Sequence, residues 1–187
     1  MNKRQLKVLL SAMPKKDIPY KLNCLFVDFD KSEVVACNGF MLIAVKCAHG
    51  LNGTGSVLIP RNVVEQVAKT KTRNTIRFSN TEISVDDFSF PFTPLQRTYP
   101  DYSKLIPPNE DLKKPGQFGF YSSKCIKVIE EIEAAFEVSP VFHRPNKKGT
   151  PLKATFYAGS GERVIACVMP KFVRTTETYA AMKACCI

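Results

Sequence analysis

The sequence predicts an α+β fold made of repeated helix-plus-antiparallel-sheet modules. Three observations carry that expectation. Apolar residues recur at helical spacing in three separate stretches; short β-prone runs bounded by Gly, Asn, Asp or Pro follow each; and the order of helix then strands returns along the chain. Repetition of one supersecondary unit points to a stacked or toroidal architecture. At 187 residues, 44% hydrophobic and 24% charged, the chain has enough apolar material to pack a core.

The first helix is expected over Lys3 to Met13, where Leu6, Leu9, Leu10 and Met13 share one face and Lys3, Arg4 and Lys7 occupy the rest. Pro14 stops it, and Lys15, Lys16, Pro19, Tyr20 and Lys21 make a basic, aromatic loop. Leu25 to Phe29 and Glu33 to Cys37 read as strands joined by Asp30-Lys31-Ser32. Asn38-Gly39 is a turn signal, because Gly tolerates positive φ, and Met41 to Cys47 reads as a buried strand. After a Gly- and Asn-rich loop over 48–56, Val57-Leu58-Ile59 forms a short strand and Pro60 opens a helix striped by Val63, Val64 and Val67. Short strands follow at Thr75–Ser79, Glu82–Asp86 and Phe88–Phe92, and the Pro- and aromatic-rich stretch Thr93 to Pro107 is irregular.

Residues 108–117, with their Pro and Gly, read as a linker. Beyond it Phe118 to Tyr121 is strand-like, and Ser122 caps a helix carrying Cys125, Ile126, Ile129 and Ile132. Strands near 138–143, 152–157 and 163–169 complete this part, and the tail from Arg174 reads as a short helix.

Charge narrows the partners. Lys and Arg total 27 against 17 acidic residues, a net charge of +10, which favours a polyanion such as nucleic acid. Seven cysteines occur without a CxxC pair, and His is limited to His49 and His143, so no metal site or cofactor is expected. The odd count and the lack of a signal-peptide pattern point to reduced thiols in a cytoplasmic setting, with Cys24, Cys37, Cys47 and Cys167 acting as small hydrophobes. No apolar run reaches the roughly 18 residues of a membrane span, and Ala184 excludes a prenylation box. P-loop, GxGxxG and HExxH motifs are absent, Gly159-Ser160-Gly161 lacks a nucleophile elbow, and neither His pairs with a particular Cys, so an enzyme is not expected.

Several stretches resemble the bacterial β sliding clamp of DNA polymerase III. Asp17-Ile18-Pro19-Tyr20-Lys21-Leu22-Asn23 is similar to a loop at the start of that clamp's middle domain. Val35 to Val45 resembles the family's V-A-T-D-G-H-R-L-A-V run, with Cys37, Asn38, Phe40 and Met41 in place of Thr, Asp, His and Arg. Val57-Leu58-Ile59-Pro60-Arg61 resembles the V-x-V/I-P-R before a helix. The most specific match is Tyr99-Pro100-Asp101-Tyr102-Ser103-Lys104-Leu105-Ile106-Pro107 to F-P-D-Y-R-R-V-I-P, and Val168-Met169-Pro170 matches the closing V-M-P. The resemblance implies a DNA-clamp fold in which residues 1–107 form a complete two-module domain and 118–173 a half-size one, followed by a tail over 174–187.

The resemblance also implies two sites. One is a positive, sequence-blind wall for double-stranded DNA, carried by Lys3, Arg4 and Lys7, by Arg61, Lys69, Lys71 and Arg73, and by Lys124 and Lys127, with Tyr20 and Lys21 in the DNA-touching loop. Taken singly, most surface lysines are only solvated. The other is an apolar pocket for peptides of a DNA polymerase and other clamp clients, receiving Leu or Phe anchors. Its expected lining is Cys37, Gly39, Met41 and Leu42, then Pro100, Lys104 and Leu105, then Val168, Met169 and Pro170. Leu42, Leu105 and Val168 are equally readable as ordinary core residues.

The implied function is that of a processivity factor closing into a homo-oligomeric ring, with a clamp loader as a further partner. Family rings have six domains with twelve lining helices, so three modules per chain give a tetramer, with a dimer or trimer as smaller closures. The alternative is a truncated clamp relative, a non-encircling module that regulates a clamp or polymerase. So compact a clamp suits a small replicon, and in a phage-encoded protein the compartment would be the host cytoplasm.

Overall fold

A computed structural model describes residues 1–16, 22–47, 49–71, 75–107, 121–143, 151–158 and 161–170. The expected linker 108–117, the tail 174–187, and Tyr20, Lys21 and Arg73 lie outside the described residues.

Helix α1 spans Lys3–Ser11. Asn2 caps it reciprocally: the Gln5 N–H donates to Asn2 Oδ1 at 3.0 Å, and the Asn2 N–H donates to Gln5 Oε1 at 2.8 Å. The Asn2-x-x-Gln5 spacing is legible in the sequence, although the expected helix rested on its apolar stripe alone. Helix α2, Arg61–Lys69, starts where Pro60 ends the preceding strand and buries Val63, Val64, Val67 and Ala68. Helix α3, Ser123–Phe136, buries Cys125, Ile129, Ile132, Ala135 and Phe136. Ser122 stands at its N-cap, yet the hydroxyl makes no capping bond, a departure from the expected cap. Helix α1 packs against both α2 and α3.

Seven strands form one antiparallel sheet. They are β1 (Cys24–Asp28), β2 (Glu33–Cys37), β3 (Met41–Lys46), β4 (Ser56–Pro60), β8 (Val141–His143), β9 (Leu152–Tyr157) and β10 (Arg163–Val168). Their order is β4-β1-β2-β3-β10-β9-β8. Three further strands, β5 (Arg77–Phe78), β6 (Glu82–Val85) and β7 (Phe88–Pro91), make a small sheet, tied to the N-terminus by the Ile76 N–H donating to the Met1 carbonyl at 2.7 Å. The decisive pairing is β10 with β3, from Arg163↔Lys46 to Val168↔Met41. Through it the strands on either side of residues 108–117 share a sheet and a core.

Register sorts side chains between the faces, because neighbours along a strand point to opposite sides. Val34, Ala36, Ile43, Val45, Val164, Ala166 and Phe156 join the helices in the larger core cluster. Val35, Cys37, Leu42, Ala44 and Cys167 form a second cluster with Leu22 and Tyr102 on the opposite face. Strand β3 is therefore buried along nearly its whole length, with only Lys46 exposed. The second face is covered by residues 99–107, an irregular strap with one 3-10 turn over Tyr102–Leu105.

Candidate functional site

The strap and the sheet enclose a cavity of about 320 Å³ on the face away from the helices. The strap is held by its aromatics. Tyr99 stacks on Phe26 with ring centroids 4.9 Å apart and planes 9° from parallel, and Tyr102 lies tilted beside the same ring at 5.8 Å. The Tyr102 hydroxyl donates to Glu33 Oε2 at 2.5 Å, fixing the strap to β2. Asp101 Oδ1 accepts from the Ser103 amide at 3.2 Å and hydroxyl at 2.6 Å, which starts the 3-10 turn.

The opposite rim is the β2–β3 turn. Asn38 Oδ1 accepts from the Phe40 and Met41 amides at 3.0 and 2.9 Å, and Gly39 takes φ +85°, a conformation L side chains rarely adopt. The Met169 N–H donates to the Phe40 carbonyl at 2.8 Å, so the end of β10 is tied to the same turn. Phe40 itself is 72% exposed.

Of the residues expected to line a pocket, Cys37, Gly39, Met41, Leu42, Pro100, Leu105 and Met169 line this one cavity. Three do not. Val168 is fully buried in the helix-side core, Pro170 is partly buried outside the lining, and Lys104 points to solvent, ion-paired with Asp101 at 3.4 Å. The lining also holds Leu22, Tyr99, Asp101, Tyr102 and Cys167. Tyr99, Asp101 and Tyr102 sat in the quoted strap motif, so contiguity was a usable signal. Leu22 lies in the quoted Asp17–Asn23 stretch and Cys167 directly before Val168-Met169-Pro170, so contiguity pointed to both, and the β3–β10 pairing sets Cys167 beside Leu42.

Burial raises the Cys37 thiol, partly offset by the Gly39 N–H that donates to its sulfur, and pushes Cys167 up to about 12. Both stay protonated and behave as apolar lining. Burial also raises the Tyr99 phenol, whose buried hydroxyl has no hydrogen-bond partner among the described residues.

On the helix layer, Arg4, Lys7, Lys69, Lys71, Lys124 and Lys127 are exposed and Lys3 is partly so. The face is not uniformly positive, because α3 continues from its two lysines into exposed Glu130, Glu131 and Glu133. Arg61 is placed differently. Its side chain is only 11% exposed; Nε donates to Glu65 Oε1 at 2.7 Å, and one terminal nitrogen donates to the Leu10 and Met13 carbonyls at 3.1 and 2.7 Å. It satisfies carbonyls at the end of α1, where the sequence reading had put it in the DNA-facing row.

Among the described residues no group of His, Cys, Asp or Glu is placed to hold a metal ion. No helix there is long and apolar enough to cross a membrane.

With a helix layer on one face of a continuous antiparallel sheet, the chain has the fold of DNA sliding clamps. No family model and no curated protein sequence matches it. Solved structures do. DNA polymerase III subunit beta from Borrelia burgdorferi, in complex with a natural product, superposes with a TM-score of 0.63 at 13% identity, covering 93% of this chain and 64% of that one. The Helicobacter pylori beta clamp bound to a DNA ligase peptide gives 0.62 at 12% identity, covering 91% and 63%. A. fulgidus PCNA bound to the C-terminal region of FEN-1 gives 0.52 at 10% identity, covering 93% and 98%. The chain thus spans just under two thirds of the length of these two bacterial clamp subunits.

Proposed function

We propose that the protein is a sliding-clamp-like processivity factor, which grips duplex DNA without reading bases and tethers a polymerase through the strapped cavity. The observation that carries this reading is the cavity itself. An apolar hollow of about 320 Å³, bounded by the Tyr99–Leu105 strap, the Asn38–Met41 turn and Met169, suits a Leu or Phe anchor. The bound peptides in the H. pylori and A. fulgidus structures support the same use of the fold. The exposed cations Arg4, Lys7, Lys69, Lys71, Lys124 and Lys127 would contact phosphates by charge alone, and such binding weakens steeply with salt. Arg61 is left out of that set.

The test is fluorescence anisotropy with a labelled Leu–Phe anchor peptide. The parent protein should bind it, and Met169→Ala should weaken binding about tenfold by removing lining contact. A peptide that ignores both the parent and the variant would end the tethering proposal. Light scattering then separates a ring from the alternative: a discrete oligomer supports encirclement, and a monomer at all concentrations supports a non-encircling module.

A further inference from the structure

Four sulfur-bearing side chains line the strapped cavity: the thiols Cys37 and Cys167 and the thioethers Met41 and Met169. Strand pairing gathers them. Cys37 on β2 and Cys167 on β10 are both paired with Leu42 on β3, and Met41 opens β3 opposite Val168. Met169 stands two positions past Cys167, the spacing that returns a side chain to the same face of an extended chain. Its main chain is fixed by the N–H donating to the Phe40 carbonyl at 2.8 Å.

These sulfurs differ in how an oxidant meets them. A cysteine reacts with peroxide as the thiolate, and burial keeps both Cys37 and Cys167 protonated. A thioether has no proton to lose, so access decides its rate. Met41 is 2% exposed and belongs to the helix-side core, and Met1 and Met13 are buried in the same cluster. Among the described methionines, Met169 alone is partly exposed, and it is the one at the mouth of a cavity. Met182 lies outside the described residues.

We propose that Met169 is a modification site at which hydrogen peroxide forms the sulfoxide and so closes the cavity to an apolar anchor. This rests on the reading of the cavity as a peptide site and adds its regulation. In the step, a sulfur lone pair attacks one peroxide oxygen, the O–O bond breaks and an S–O bond forms. The second oxygen leaves as water after proton transfer, so the sulfur loses two electrons and the peroxide gains them. The product puts a strong hydrogen-bond acceptor on a lining that is otherwise mostly Leu, Met, Cys and ring carbon. A Leu or Phe anchor brings no donor to that oxygen, so seating it would strip the sulfoxide of water without a replacement bond. Methionine sulfoxide reductases reverse the oxidation, which makes the closure reversible.

The experiment treats the full chain with hydrogen peroxide, maps oxidation over time by peptide mass spectrometry, and measures the labelled Leu–Phe anchor peptide by anisotropy. Met169 should be oxidised well before Met1, Met13 and Met41, and the oxidised protein should bind about tenfold more weakly. Reductase treatment should restore the binding. Met169→Leu sets its own reference affinity, and peroxide should leave that affinity unchanged. Oxidation of Met169 no faster than of Met41, or a Met169 sulfoxide that binds the peptide as before, would overturn the proposal while leaving the peptide site standing. Equal loss of binding by peroxide-treated Met169→Leu would overturn it too, by placing the sensitivity elsewhere. So would an oxidised protein that has lost its circular dichroism spectrum, since binding would then fail through unfolding. An untreated parent that does not bind the peptide would end the peptide reading and this proposal together.

Discussion

Replacing Arg61 by Met separates two roles that a basic residue on a helix can have. Met keeps the apolar stem and its packing while removing every donor. The lost bonds are one ion pair and two bonds to main-chain carbonyls. Glu65 is 39% exposed, so the ion pair contributes about 0–1 kcal/mol. Each charge-assisted bond to a carbonyl contributes about 1.5–3 kcal/mol, and water entering at the end of α1 returns part of it. The expected cost is about 2–3 kcal/mol. Urea unfolding followed by circular dichroism should show a lower midpoint with an unchanged slope, since the surface exposed on unfolding is the same. DNA titrations at several salt concentrations should give the parent's salt dependence. Stability within about 0.5 kcal/mol of the parent, with a log–log salt slope shallower by about 0.9, would refute the capping role and make Arg61 a phosphate contact.

Tyr102→Phe removes the hydroxyl that donates to Glu33 and keeps the ring beside Phe26, so it should cost about 1 kcal/mol by urea unfolding and leave the strap in place. His143 lies 3.1 Å from the Thr155 hydroxyl, and burial, then the charge of Lys153, lowers its pKa below the ordinary 6.5. The unfolded chain therefore takes up this proton first as pH falls. Stability should drop as pH passes below about 6.5 and level off below the folded pKa, and His143→Gln should flatten that part of the curve. Burial pushes Cys47 and Cys167 up to about 12, so both should resist iodoacetamide at pH 8 in the native protein and react on unfolding, as mapped by mass spectrometry. Rapid native labelling of Cys167 would mean that the strap opens.

Much of the fold was legible because the local signals agree with one another. The strands at 24–28, 33–37 and 41–46 are apolar runs cut by Asp-Lys-Ser and Asn-Gly turns, and α1, α2 and α3 each carry an apolar stripe at helical spacing. The cavity was partly legible for a related reason. Its strap is one contiguous segment, so a single motif delivers Pro100 and Leu105 together.

What the tertiary structure alone decided is which distant residues become neighbours. In β3 and β10 nearly every position is apolar, because helices cover one face and the strap the other, so no alternation shows which side chains face the cavity. The β3–β10 register settles it, sending Leu42 and Cys167 to the cavity and Val168 to the helix side. The same pairing sets Lys46 beside Arg163 across more than a hundred residues of sequence, two positions that share no motif. Arg61 shows the converse. Its sequence neighbours mark it as a cation on a helix, while the end of α1, brought alongside by packing, offers it two carbonyls. Periodicity is a property of one element, whereas register and the meeting of helix ends belong to pairs of elements; the sequence of either element alone does not contain them.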